Sequence, residues 1–80
     1  MTQVLSMRKT RGPSLRQVLA ANIRRERTAR SWAQDELAHR ATLSQTYISQ
    51  VESGQRAVSV DAIERLAEAL GVEAAALLKR

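Results

Sequence analysis

Apolar residues recur along this chain at the three- and four-residue spacing of helices, in short blocks separated by polar turns. Leu15, Val18, Leu19, Asn22 and Ile23 share one stripe, which predicts a first helix opened by Pro13 and Ser14. Leu37 and Ala38 mark a second, short helix that begins at Gln34. The turn Ala41-Thr42-Leu43 follows, and Ser44 stands ready to cap a third helix whose inward positions are Ile48 and Val51. A fourth helix is capped by Ser59, carries Asp61 in its first turn and Val60, Ile63, Leu66, Ala67 and Leu70 as its stripe, and stops at Gly71. Val72, Ala76, Leu77 and Leu78 accompany a last short helix from Glu73 to about Lys79. The expected fold is therefore all-α, a compact five-helix domain over residues 14–80. Residues 1–13 have no periodic apolar pattern, carry Arg8, Lys9 and Arg11, and end in Gly12-Pro13. They read as a flexible basic arm, placed either to wrap DNA or to stay a frayed terminus.

The stretch Gln34 to Glu52 is the organising feature. Two short helices joined by a tight turn form a helix-turn-helix pattern, at the second and third helices of the five. On a wheel of 100° per residue, Ile48, Ser44 and Val51 share one side of the third helix, and Gln45, Thr46, Ser49 and Gln50 share the other. One face packs inward while the opposite face offers amides and hydroxyls.

Burial arguments connect this stretch to the rest. Arg27 lies four residues beyond Ile23 on the same side of the first helix, so its guanidinium reaches the core edge and needs an acid to offset desolvation. Glu52, closing the third helix, is the expected partner. Trp32, just before the second helix, is expected to staple onto that helix as a core residue rather than to stack on a base. Gly54 is expected to take the left-handed conformation that ends the third helix, leaving loop amides and Arg56 placed to meet a phosphate. Leucines near the carboxyl terminus exceed what so small a core needs. Leu70, Val72, Leu77 and Leu78 are therefore expected at a dimer interface, with a simple lid over the core as the alternative.

Composition narrows the function. A chain of 80 residues without cysteine has neither disulfides nor thiolate metal sites to stabilise it, so packing must do so and dimerisation is expected to add to it. The net charge of +5 is unevenly placed: residues 1–30 hold eight basic residues against the single acid Glu26, whereas the remainder is slightly acidic. An Arg-rich basic half suits a polyanion, because guanidinium groups grip phosphate oxygens bidentately, and Arg24 and Arg25 are the candidates for DNA backbone contacts beside Arg56. No apolar run has the length of a membrane span, and a cytoplasmic protein is expected. His39 is the only histidine, and no second ligand set, nucleophile, Gly-rich phosphate loop or cofactor motif accompanies it. The reading is of a protein that is not an enzyme and needs no metal, cofactor or small-molecule ligand.

The chain resembles the lambda-repressor-like, Xre-type (Cro/C1) helix-turn-helix family over about Leu15 to Leu78. The resemblance rests on Gln34-x-Glu36-Leu37-Ala38, on Leu43-Ser44 ending the turn, on Tyr47-Ile48-Ser49-x-x-Glu52-x-Gly54-x-Arg56, and on Leu66-Ala67-x-Ala69-Leu70-Gly71-Val72. It implies that the third helix enters the major groove and that Gln45, Thr46, Ser49 and Gln50 read base edges, with Gln34 gripping a phosphate and bracing the reading helix. Tyr47, at the border of the apolar arc, is the remaining backbone contact, and the family commonly pairs a first-helix Arg with a Glu at the place of Glu52. Three positions depart from the family pattern: Thr42 where a turn Gly is usual, Ala33 where a capping Ser or Thr is usual, and Ser31 where Gly often ends the first helix. Within the family, Thr46-Tyr47-Ile48-Ser49, Gly54-Gln55-Arg56 and Val58-Ser59 are similar to restriction-modification controller proteins, although prophage regulators and antitoxins share most of these residues.

Two functions of different class follow. One is a sequence-specific transcriptional regulator that binds double-stranded DNA as a homodimer on a near-palindromic operator. The other is a protein-interaction module or antitoxin of the same fold that binds a partner protein.

Overall fold

The computed structural model describes residues 12–80, so the basic arm expected over residues 1–13 lies outside the described residues for all but Gly12 and Pro13. Five helices follow in order: α1 (Leu15–Ala29), α2 (Gln34–Ala41), α3 (Gln45–Glu52), α4 (Val60–Leu70) and α5 (Ala74–Leu77). Serine supplies the amino-terminal cap of three of them. Ser14 and Gln17 form a reciprocal capping box, in which the Ser14 hydroxyl accepts from the Gln17 amide at 3.2 Å and the Gln17 side chain accepts from the Ser14 amide at 3.0 Å. Ser44 Oγ accepts from the Tyr47 amide at 3.0 Å, and Ser59 Oγ accepts from the Ala62 amide at 3.1 Å. Ala33, by contrast, caps α2 without a side-chain hydrogen bond.

The carboxyl-terminal ends share one solution. α1 to α4 each close with paired backbone bonds around a left-handed residue, at Ser31, Thr42, Gly54 and Gly71 with φ of 59°, 57°, 75° and 71°. In each, the next residue donates back five positions: Trp32 to Arg27, Leu43 to Ala38, Gln55 to Gln50 and Val72 to Ala67. These are Schellman closures, which satisfy carbonyls that a helix end leaves without partners. Gly54 and Gly71 adopt the left-handed region freely. Ser31 and Thr42 do so at a steric cost of about 1–2 kcal/mol each.

α1 packs against α3, α4 and α5, while α2 packs against α3 and α4. Their apolar faces meet in one core built on Ile23, Leu37, Ile48, Leu66, Leu77 and Val51, all fully enclosed. Each such aliphatic side chain contributes about 1.5–3 kcal/mol on leaving water. Trp32 is partly buried against this core and lies between two guanidinium groups, 4.2 Å from Arg40 and 5.8 Å from Arg30. Arg30 also donates to the Leu70 carbonyl at 2.6 Å, which satisfies the end of α4.

The structure corrects three expectations. Val60 is 79% exposed, because Ala62 and Leu66 take the inward line of α4 and Val60 stands about 200° around the helix from Ala62. Leu70 and Leu77, expected at a dimer interface, are 2% and 1% exposed within a single chain. The turn at Gly71 brings α5 back against α1 and α4, so both leucines close the chain's own core and neither is available to a second copy. Val72 and Leu78 remain partly exposed. A buried polar residue, Asn22, fixes this arrangement: its side-chain amide donates to the Leu77 carbonyl at 2.8 Å and the Lys79 carbonyl at 3.0 Å, and its oxygen accepts from Arg25 at 2.8 Å. α5 itself is shorter than expected, with Glu73 at its amino-terminal cap.

Candidate nucleic-acid interface

The site starts from a buried charge. Glu52 ends α3 with a side chain only 1% exposed, where an unpaired carboxylate could not persist. Arg27 meets it with two parallel bonds, Nε to Oε2 at 2.6 Å and Nη2 to Oε1 at 2.9 Å, and gives its Nη1 to the Trp32 carbonyl at 2.6 Å. One guanidinium therefore ties together α1, the connection into α2, and the end of α3. Burial pushes the Glu52 carboxyl up, but hydrogen bonds from Arg27 and then Gln34, with the charges of Arg27 and Arg24, outweigh it and hold the group below its ordinary value. The Glu52 hydrogen bond raises Arg27 in turn, against its own desolvation. Both partners are ionised at neutral pH.

That charge sets the orientation of the polar chain beyond it. An ionised carboxylate only accepts, so the Gln34 amide turns its nitrogen to Glu52 Oε1 at 3.1 Å and its oxygen outward. The oxygen accepts from Gln45 Nε2 at 3.1 Å. Gln45, the first residue of α3, is thereby held with its own carbonyl oxygen and one N–H unspent, the donor-acceptor pair that matches the edge of an adenine. Gln34 acts here as a brace between the buried Glu52 and the first residue of α3.

Around it, α3 presents Gln45, Thr46 and Ser49 exposed and Gln50 half-buried, while Ile48 and Val51 hold the opposite face in the core. Tyr47 is partly buried against the core, and Arg56 folds back from the loop to lie 4.8 Å over its ring. The same guanidinium donates to Gln50 Oε1 at 2.7 Å. Arg24 and Arg25 keep side chains 59% and 63% exposed, and line an open groove of about 460 Å³ with Gln17, Thr28, Ser53 and Gly54 between α1 and the end of α3. Arg24 is tethered to the Glu52 carbonyl at 3.4 Å, and Arg25 to Asn22. At the turn of the motif, Arg65 donates to the Thr42 carbonyl at 3.2 Å.

The structure thus brings Gln34, Gln45 and the Arg27–Glu52 pair into one network, and Gln50, Tyr47 and Arg56 into another. Arg30 and Arg65 are residues whose contacts the sequence reading passed over, and Asn22 was placed on the first buried stripe without its partners. They act across 23 to 57 positions of chain, a separation at which periodicity carries no signal. The Gln17 half of the first capping box was readable as Ser14-x-x-Gln17.

The helix-turn-helix family matches residues 23–77, most of the described chain. The chain belongs to the Cro/C1-type helix-turn-helix family. Among relatives of this helix-turn-helix chain, a hypothetical transcription factor of Neisseria meningitidis serogroup B is 45% identical over 64 residues, covering 80% of this chain and 60% of its own length. The chain thus spans less than two thirds of that relative. The control protein C.BamHI of Bacillus amyloliquefaciens is 39% identical over 66 residues, covering 81% of this chain and 82% of the relative. The crystal structure of the restriction-modification controller protein C.AhdI from Aeromonas hydrophila superposes with a TM-score of 0.75 at 37% identity, over 78% of this chain and 94% of that one. Among the described residues no helix is long and apolar enough to cross a membrane.

Proposed function

We propose that this regulator reads a near-palindromic operator as a homodimer, placing α3 of each copy in successive major grooves about one helical turn apart. Gln45, Thr46, Ser49 and Gln50 are assigned to base edges, and Arg24, Arg25 and Arg56 to the phosphates that carry affinity. Gln34 contributes by bracing Gln45 and keeps one amide N–H for a phosphate, and Tyr47 is assigned to the backbone through its hydroxyl while its ring packs against the core. The observation that carries this reading is the polarity chain from Glu52 through Gln34, which leaves Gln45 exposed and prearranged to donate and accept at once. Val72 and Leu78, with the exposed Leu15 nearby, supply the apolar surface for the second copy. The protein acts by binding rather than by catalysis. The resemblance to control proteins supports a role in restriction-modification, the controller reading of this chain.

Selection of bound duplexes from a random pool tests the proposal. The expected product is a two-fold symmetric site, and Gln45→Ala or Gln50→Ala should each remove the preference at the base pair that residue reads while salt-sensitive general binding survives. Full discrimination by both variants refutes the assignment of α3 as reader. Failure to bind any duplex at low salt points instead to the partner-protein reading.

A further inference from the structure

We propose that Arg56 determines which base Gln50 reads, selecting guanine over adenine; the inference rests on Gln50 being a reader. A glutamine amide that is free to turn offers one donor and one acceptor edge, and pairs bidentately with adenine N7 and N6. Gln50 is not free. The Arg56 guanidinium, which can only donate, is bonded to Gln50 Oε1 at 2.7 Å and so fixes the amide with its oxygen toward the loop. Arg56 is itself held by lying 4.8 Å over the Tyr47 ring, so the arrangement is supported from two directions on the same surface.

Bringing the adenine N6 amino group to that oxygen would set a second donor beside a cation. The nitrogen of Gln50, oriented by Arg56 and standing beside its positive charge, instead presents N–H donors to the base. Guanine answers them with two acceptors, O6 and N7, in the major groove. The two glutamines of α3 thereby differ in chemistry. Gln45 gives one N–H to Gln34 and keeps its acceptor, whereas Gln50 has its acceptor engaged and keeps its donors. Arg56 is thus a positioning residue for specificity, in addition to its charge.

The test uses the duplex that the wild-type protein selects from a random pool, together with every single base-pair variant of it, and fluorescence anisotropy to rank their dissociation constants. Gln50→Ala should flatten the ranking at one base pair of each half-site. At that pair the wild type should prefer guanine to adenine about tenfold, and Arg56→Ala should remove or reverse that preference while the ranking at every other pair is kept. Circular dichroism of Arg56→Ala confirms that the variant is folded. The proposal is overturned if Arg56→Ala weakens all duplexes alike with the ranking intact, as a phosphate contact alone would. It is also overturned if the wild type prefers adenine at that pair, or if Gln50→Ala keeps a guanine preference that Arg56→Ala loses, since Arg56 would then be reading the base itself. A Gln50→Ala variant that leaves every ranking unchanged removes Gln50 from the readers, which is failure of the underlying assignment and of this inference with it.

Discussion

Replacing Arg27 by Met is the perturbation that separates architecture from recognition. It removes two charge-assisted bonds to Glu52, at 2.6 and 2.9 Å, and the bond to the Trp32 carbonyl, while keeping an apolar stem of similar length. Glu52 is left enclosed with Gln34 at 3.1 Å and the half-exposed Arg24 at 3.7 Å as its remaining partners. Stranding one member of a buried pair costs about 3–5 kcal/mol, and these partners place the loss near the lower end. A domain of this size has a total stability of about 4–12 kcal/mol, so Arg27→Met should forfeit a large share of it and lower Tm by about 12 °C or more. Urea unfolding followed by circular dichroism and by Trp32 fluorescence measures the change, at fixed protomer concentration because dimerisation would add to apparent stability. The double variant Arg27→Met with Glu52→Leu should return to within about 1 kcal/mol of wild type, since neither charge remains to be desolvated. It should still discriminate DNA poorly, because Gln34 has lost the acceptor that orients it. The pair also has a pH signature. The Glu52 carboxyl is held below its ordinary value in the folded state, so its contribution is complete above the unfolded pKa and is lost as pH falls through the folded one. The stability gap between wild type and Arg27→Met should therefore narrow on acidification. A cost for Arg27→Met below about 1 kcal/mol, the range of an exposed ion pair, would refute the reasoning.

Thr42→Gly should raise Tm by several degrees, because the left-handed φ of 57° strains a β-branched residue while the carbonyl that Arg65 uses is retained; a thermal melt showing no gain would mean the greater freedom of glycine in the unfolded chain cancels the relief. Asn22→Ala should cost about 1–3 kcal/mol in urea unfolding by leaving the Leu77 and Lys79 carbonyls without their donor. Leu78→Glu should yield a folded monomer by analytical ultracentrifugation, whereas Leu77→Glu, at a fully enclosed position, should not fold; a Leu78→Glu dimer would move the interface elsewhere.

What the chain determines by itself is local. Serines at 14, 44 and 59 start helices because a side-chain oxygen can satisfy an amide two or three residues on, and Gly54 and Gly71 end them because the left-handed region is open to glycine. The eight residues of α3 are enough for the helical period to separate Ile48 and Val51 from Gln45, Thr46 and Ser49. Even one long-range contact, Arg27 to Glu52, followed from the rule that a guanidinium on an apolar stripe needs an acid. Tertiary structure decided the rest, for reasons of reach and sidedness. α5 has four residues, slightly more than one turn, so no period exists to tell Leu77, which is fully enclosed, from Leu78 just beyond it, which packs on the core only in part. Gln34 meets Gln45 across the turn of the motif, and Arg56 returns to Gln50 from a loop, because packing fixes where those side chains end. The polarity of each glutamine is set by the charged neighbour at the end of its hydrogen-bond chain: Glu52 for Gln45 and Arg56 for Gln50.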